Sequence, residues 1–530
     1  MMGFKKFLYR RLPTGQGVGV LAVTTAALLS AGPASANLDA AYTTNAYALW
    51  QQGLTGEGVT VGVWESTHGG SWTVRDTHKS FQSYNPATGL YDGPSRVTFG
   101  DDATGENPDN HASQVAGTIG ASHLPDEPYS WGMAPSVQIV SYRGAASWFD
   151  LTNATVDISN HSYNYNVGDT PSQYGYNQIS ASLDGALFNA PKHLAFWSAG
   201  NANNDYYTLD SYASPKNNVT IGNVYDIREP DPNLDVRSDI RTVGWASSYG
   251  PTSDGRLGVD LVANGHDVLT PGGGHDADYD VVTGTSLSSP NAAGTAALVL
   301  EHWRNQNGGY TPDSATQKGL LMHTATDATR YGLGPDYATG YGLVNGYEAV
   351  EHITESTDEP LATRDRHIWE GTLNEGEAFS LQFLTTGTGS GFKASLSWLD
   401  PAGSVGDVDD QTPKLVNDLD IMVTTDYANI YPWVLDPDDP DADAAQHDYY
   451  VQNRVDNFTQ VSLPAPADRI YSVNITHHGA LTGGSQDYAL FVTGGVLVNG
   501  TPLSLTPVPE PGSLALLAAG GLFVLRRRRG

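Results

Sequence analysis

The stretch Val281–Leu300 reads VVTGTSLSSPNAAGTAALVL, and its reading decides the fold. The β-like residues end at Thr283, Gly284 permits a tight turn, and Ser286 stands where a run of small residues begins a helix. Pro290 is tolerated in the first turns of that helix. A strand running directly into a helix is one unit of an α/β fold. A serine at the helix N-terminus has its hydroxyl in the favourable end of the helix dipole, which suits a nucleophile that attacks a carbonyl. An isolated serine there would serve as an ordinary N-cap. The rest of the chain therefore has to supply the partners.

Outward from this stretch the same alternation continues. From Leu38 to about Glu355, apolar runs such as VTVGVW (59–64), SVQIVSY (136–142), HLAFWSA (193–199) and NNVTIGNV (217–224) alternate with helical stretches such as HASQVAGTIGA (111–121) and SATQKGLLMHTA (314–325). That order predicts a domain with a mostly parallel central sheet. After Ser356 the helical patterns vanish, and AFSLQFL, FKASLSWL, DIMVTT, RIYSVNIT and DYALFVTG are separated by Gly, Asp and Pro turns. This part reads as an all-β sandwich. The polar, proline-containing junction EHITESTDEPLATRD (351–365) reads as a linker. The expected division is a leader 1–36, the α/β domain 37–355, the sandwich 356–500 and a C-terminal tail 501–530.

Charge and termini narrow the setting. The chain has 530 residues, 27 basic and 58 acidic, with a net charge of −31 and no cysteine. Such a surface argues against nucleic acid as a partner, and stability cannot come from disulfides. Lys5, Lys6, Arg10 and Arg11 precede the apolar run GVGVLAVTTAALLSAG, and Ala34-Ser35-Ala36 offers small residues for a signal peptidase. At the other end, VPEPGSLALLAAGGLFVLRRRRG joins a Pro-Glu-Pro turn, an apolar run from Leu514 to Leu525 and four arginines, Arg526–Arg529. It resembles the PEP-CTERM tail of Gram-negative, polysaccharide-secreting bacteria. The resemblance implies transient membrane association through the tail, recognition by an exosortase-type enzyme, and a final location outside the cell, at its surface or in an exopolysaccharide matrix.

Three further stretches carry the chemistry. DNHASQVAGTIGA places His111 at the start of a small-residue helix, FWSAGNAN presents Asn201, and VGVWEST ends an apolar strand at Glu65. With GTSLSSP around Ser286, these stretches in this order resemble the motifs of subtilisin-like serine proteases, the subtilases. SSYGPTSDGRLGVDLVANG (247–265) and GPDYATGYGLVN (334–345) resemble the connecting and closing motifs of the branch that carries a C-terminal jelly-roll sandwich, as do SLSWLDP, LVNDLDIMV and NRVDNFTQVSL within the sandwich.

The resemblance implies a subtilisin-like serine endopeptidase acting on polypeptides. Ser286 would be the nucleophile, His111 the base, and Asn201 the oxyanion donor. At the position where the family has an orienting Asp this chain has Glu65, one methylene longer, and Asp76 in the following loop is the alternative orienter. Ser162, Tyr163, Trp197, Ser198, Ala199 and Gly200 are expected to wall the specificity pocket. Asp400, Asn417, Asp418 and Asp420 at strand ends of the sandwich are candidate oxygen ligands for structural calcium, and no organic cofactor is expected. About 25 residues separate Ala36 from the first catalytic strand, which leaves no room there for the long propeptide of many subtilases. A catalytically inactive relative that uses the fold for matrix or cell-surface binding is the alternative function.

Overall fold

The computed structural model describes residues 36–498, apart from 66–72, 102, 165–174, 203, 226–246, 328–332, 359–363, 388–390, 408–409 and 465. Residues 1–35 of the expected signal peptide (1–36) and the expected tail 501–530 lie outside the described residues, as does most of the linker proline's neighbourhood.

Two short helices, α1 (Ala36–Thr43) and α2 (Ala46–Gln51), lead into β1 (Thr60–Trp64). β2 (Val97–Phe99), α3 (Asn110–Gly120), β3 (Gln138–Ser141), α4 (Trp148–Asn153), β4 (Ile158–His161), α5 (Gln178–Phe188), β5 (Leu194–Ser198), β6 (Val219–Val224) and β7 (Leu261–Asn264) follow. The seven strands form one parallel sheet in the order β2-β3-β1-β4-β5-β6-β7. The hairpin β8 (Val268–Pro271) and β9 (Tyr279–Val282) then delivers the chain to the long α6 (Thr285–Gln306). α7 (Ser314–Thr324) and α8 (Gly346–Asp358) complete the α-helices among the described residues.

Both faces of the sheet are covered, which is why its strands read as apolar runs without alternation. On one face Val61, Val63, Ile139, Phe196, Ile221 and Leu261 pack with Val115 and Ile119 of α3 and with the alanines of α6. On the other, Trp64, Ala195 and Trp197 pack with Leu151 of α4 and Leu183 and Leu187 of α5. The small residues of α3 and α6 have a packing purpose. A Cβ built on Gly294 would stand 2.9 Å from the carbonyl oxygen of Ile119, so glycine lets the two helices that carry His111 and Ser286 approach closely.

Among the described residues beyond α8 the chain is all β: β10 (Arg366–Asn374), β11 (Phe379–Thr385), β12 (Phe392–Ser397), β13 (Asp418–Thr424), β14 (Asn429–Ile430), β15 (Phe458–Leu463), β16 (Ile470–His478), β17 (Ser485–Thr493) and β18 (Gly495–Leu497). They form two antiparallel sheets, β10-β17-β12-β15 and β14-β13-β16-β11-β18, whose inner faces share one apolar core that includes Phe383, Leu396, Ile421, Val473 and Leu490. The sandwich is not a pendant. Phe458, Ala489 and Phe491 join the core of the α/β part, and a Cβ on Gly319 of α7 would come within 2.5 Å of the Phe491 ring.

A buried polar cluster reinforces this junction. The Lys216 ammonium, wholly enclosed, lies 3.3 Å from Asp184 and 3.1 Å from Asp400, and donates to the carbonyls of Pro401 and Lys414 at 2.9 Å each. The same contacts bear on the four candidate calcium ligands. Asp400 is held by Lys216 and by the backbone amides of Val416 and Asn417. The Asn417 side chain bonds Gln486 and Thr482, while Asp418 and Asp420 share the Arg454 guanidinium at 2.8 and 2.7 Å. Side-chain cations and amides already meet most of these oxygens, although Asp418 Oδ1 is buried without a hydrogen-bond partner among the described residues. Among the described residues no group of three or more His, Asp or Glu is arranged to hold a metal ion.

Candidate active site

In a parallel sheet, functional groups gather at the carboxyl ends of the strands, where the strand order reverses. Here the chain leaves β1 toward β2 and β3 on one side and returns to β4 on the other, so the residues after β1 and β4 face the crevice. Glu65 directly follows β1, and Ser162 directly follows β4.

Glu65 is completely buried, and its Oε2 lies 2.9 Å from His111 Nδ1. His111 is the second residue of α3, whose N-cap Asp109 accepts from the Ala112 amide. The start of α3 is also pinned to the β8–β9 hairpin, since Asn110 and Gln114 both donate to Asp280 at 2.9 Å. Burial pulls the His111 pKa down, but the charge and hydrogen bond of Glu65, with Asp109 adding, outweigh it, so the imidazole titrates above its ordinary value. A carboxylate at Nδ1 fixes the tautomer in which Nε2 is the proton acceptor. Asp76, the alternative orienter, sits in a turn where its carbonyl accepts from Ser95 and Gln82. His78 in the same segment is structural. It accepts from the Ser80 amide and donates to the carbonyl of Asp278, and burial lowers its pKa.

Ser286 is the second residue of α6, and the sequence explains how its backbone is held. Pro290 has no N–H, so it cannot donate to the Ser286 carbonyl four residues earlier, and that acceptor needs another partner. Ser162 Oγ supplies it at 2.8 Å, and Ser286 Oγ lies 3.4 Å from the Ser162 carbonyl in return. Asn160 donates to Ser162 Oγ at 2.9 Å and accepts from Ser289 Oγ at 2.7 Å, which closes a buried network under the first turn.

Asn201 is exposed and oriented. Its Oδ1 accepts from the Thr285 amide at 3.0 Å and from Thr285 Oγ1 at 2.9 Å. With the oxygen so engaged, Nδ2 is the end left to donate, as an oxyanion site requires. Sequence reasoning does not single out Thr285, although its place immediately before Ser286 is an available signal.

The residues expected to wall the specificity pocket divide. Ser162 is part of the Ser286 anchor, and Ala199 and Gly200 lead to Asn201, with the Gly200 amide donating to Thr285 Oγ1. Ser198 is buried at the end of β5. Trp197 and Tyr163 are corrected to core positions. Trp197 has no exposed surface and stacks on His161 at 3.7 Å, in line with Trp64 stacked on Tyr142 at 3.7 Å. The Tyr163 hydroxyl accepts from the Ala146 amide and meets His161 Nδ1. Successive residues of a strand point to opposite faces. The Trp64-His161-Trp197 row therefore lies on the α5 side while Glu65 turns toward α3.

A layered α/β domain with a carboxylate-bound histidine, a serine at a helix N-terminus and an amide beside that terminus has the parts of a serine hydrolase. Comparison with known proteins places it more narrowly: the chain belongs to the subtilase family, whose model matches residues 56–342, more than half of the chain. Residues 507–529 match the PEP-CTERM protein-sorting motif, a signal read by exosortase-type sorting enzymes and associated with the surface or exterior of Gram-negative bacteria. The chain is 28% identical over 261 residues to tripeptidyl-peptidase 2 of Caenorhabditis elegans, covering 46% of this chain and 18% of that protein. It is 31% identical over 141 residues to serine protease AprX of Bacillus subtilis, covering 24% and 29%. Against a cuticle-degrading serine protease of Orbilia oligospora it is 26% identical over 261 residues, covering 46% and 51%. The chain thus spans about half or less of the length of these relatives. Among the described residues no helix is long and apolar enough to cross a membrane.

Proposed function

We propose that the protein is an exported serine endopeptidase that cleaves polypeptides through an acyl-enzyme, with Glu65 in place of the usual aspartate. The observation that carries the reading is the 2.9 Å bond between the buried Glu65 and His111. Ser286 Oγ attacks the peptide carbonyl while His111 Nε2 takes its proton, and Glu65 stabilises the imidazolium that forms. The tetrahedral oxyanion accepts from Asn201 Nδ2 and the Ser286 amide, at the positive end of α6. His111 then returns the proton to the leaving amine, and water clears the ester by the same steps in reverse order. Export by the N-terminal signal and sorting by the tail deliver this activity to the cell surface or its surroundings. Ser286→Ala is expected to abolish casein cleavage by the purified protein while leaving its melting temperature unchanged. Undiminished cleavage would overturn the reading and favour a binding protein on a protease fold.

A further inference from the structure

The loop that carries Asn201 lies on the segment Ser247–Gly250. The Ser248 amide donates to the Gly200 carbonyl at 2.8 Å, the Asn204 amide to the Ser247 carbonyl at 2.8 Å, and the Tyr207 amide to the Gly250 carbonyl at 3.2 Å. Two residues of the loop have left-handed backbone, Asn204 at φ 67° and Tyr207 at φ 58°. Asparagine tolerates this conformation. A tyrosine there is strained and stays only where its surroundings hold it.

Part of that hold comes from the other half of the molecule. The Tyr207 hydroxyl donates to the Pro437 carbonyl, and the Tyr206 hydroxyl donates to Asp441 Oδ1 at 2.7 Å, its ring packed against Tyr249 at 5.5 Å. Pro437 and Asp441 belong to the long excursion between β14 and β15 of the sandwich. The excursion is itself tied down. The Trp433 amide donates to Gln460 of β15 at 2.9 Å, and Val434 and Ala445 exchange backbone bonds at 2.9 and 3.0 Å. A continuous path of bonds therefore runs from a sandwich strand to the loop that bears the oxyanion donor.

We propose that this excursion of the sandwich is a working part of the active site: through Tyr206 and Tyr207 it holds the 200–208 loop so that Asn201 meets the developing oxyanion. Tyr206 and Tyr207 are positioning residues that act through Asn201. The inference rests on the peptidase reading and deepens it, because it makes the sandwich a determinant of turnover and not only of stability.

The test uses the full chain with Tyr206→Phe and Tyr207→Phe combined, which removes two hydroxyls and keeps both rings. Displacement of a catalytic group by about 1 Å can cost about a hundredfold, so kcat for a chromogenic peptide is expected to fall about tenfold to a hundredfold, with KM within about twofold. The acylation rate with a fluorophosphonate should fall in parallel. On an Asn201→Ala background the same pair should cost less than about twofold further, since the group they position is gone. Asp441→Ala, which removes only an acceptor, should act in the same direction. Asp443→Asn, an exposed carboxylate of the same excursion, should leave the rate unchanged. The inference is overturned if the tyrosine pair leaves kcat intact, if its effect persists undiminished without Asn201, or if Asp443→Asn acts as strongly, which would make charge and not contact the cause. A wild-type protein inert to the probe would instead overturn the peptidase reading itself.

Discussion

Glu65→Asp is the most informative single substitution, because it keeps the charge and changes only the reach. Removing one methylene draws the carboxylate back by about 1.5 Å. With the backbone of β1 fixed by parallel partners on both sides, the 2.9 Å bond to His111 Nδ1 would open to about 4.4 Å, well beyond hydrogen-bond range. The imidazole would then have to follow, or the carboxylate, fully buried, would lose its partner at a cost of about 1–3 kcal/mol. Either outcome misplaces the base by an amount that lowers kcat/KM about a hundredfold, or about 2.7 kcal/mol in the barrier. Glu65→Gln keeps the size but loses the charge, and its fall should be larger, with about ten thousandfold the scale for the same change in a Ser-His-Asp triad. The assay is kcat/KM on a chromogenic peptide, with the melting temperature as control. A rise in rate with Asp would refute the reasoning, since it would mean that the site is still shaped for the shorter acid and that Glu65 is a lesion.

The pH profile should show a rising limb above the ordinary histidine value near 6.5, because Glu65 raises the His111 pKa and the base works only when neutral; Glu65→Gln should move that limb to lower pH, and an unmoved limb would dissociate Glu65 from His111. Lys216→Met should destabilise the protein by about 3–5 kcal/mol in denaturant melts by leaving Asp184 and Asp400 uncompensated in the interior, whereas a loss below about 1 kcal/mol would remove the junction cluster from the account of stability. Burial raises Asp400 to about 6 against the opposing pull of Lys216, so between about pH 4 and 6 the native carboxyl holds a proton that the unfolded chain has released, while at neutral pH it is ionised beside Lys216; stability should decline as pH rises between about 4 and 6, and Asp400→Asn should flatten that decline. Truncation before Pro509 should divert the exported protein into the medium, and identical distribution of the two forms would remove the tail from the sorting route.

What could be read from the sequence followed a physical pattern. The placement of Glu65, His111 and Ser286 was legible because each stands at the end of a strand or the start of a helix, where local chain signals are strongest. The two-layered sandwich was legible from its turns and β-rich runs. Trp197 was misread because both faces of the sheet are covered by helices, so a buried aromatic and a pocket-wall aromatic look alike in FWSAG. The acid-rich strand ends of the sandwich showed only the anions. Their cations, Lys216 for Asp400 and Arg454 for Asp418 and Asp420, lie far off in sequence and come together only through the fold. The contact of Tyr206 with Asp441 spans 235 residues and has no local signature at all.

The central claim is that Ser286 is a nucleophile activated through His111 and Glu65. Treatment of the purified wild-type protein with a fluorophosphonate, followed by peptide mass spectrometry, tests it most directly. The account predicts a single phosphonylated serine, Ser286, with labelling lost in His111→Ala and strongly slowed in Glu65→Gln. A folded protein that takes up no label, or takes it at another residue while Ser286 stays unmodified, would contradict it.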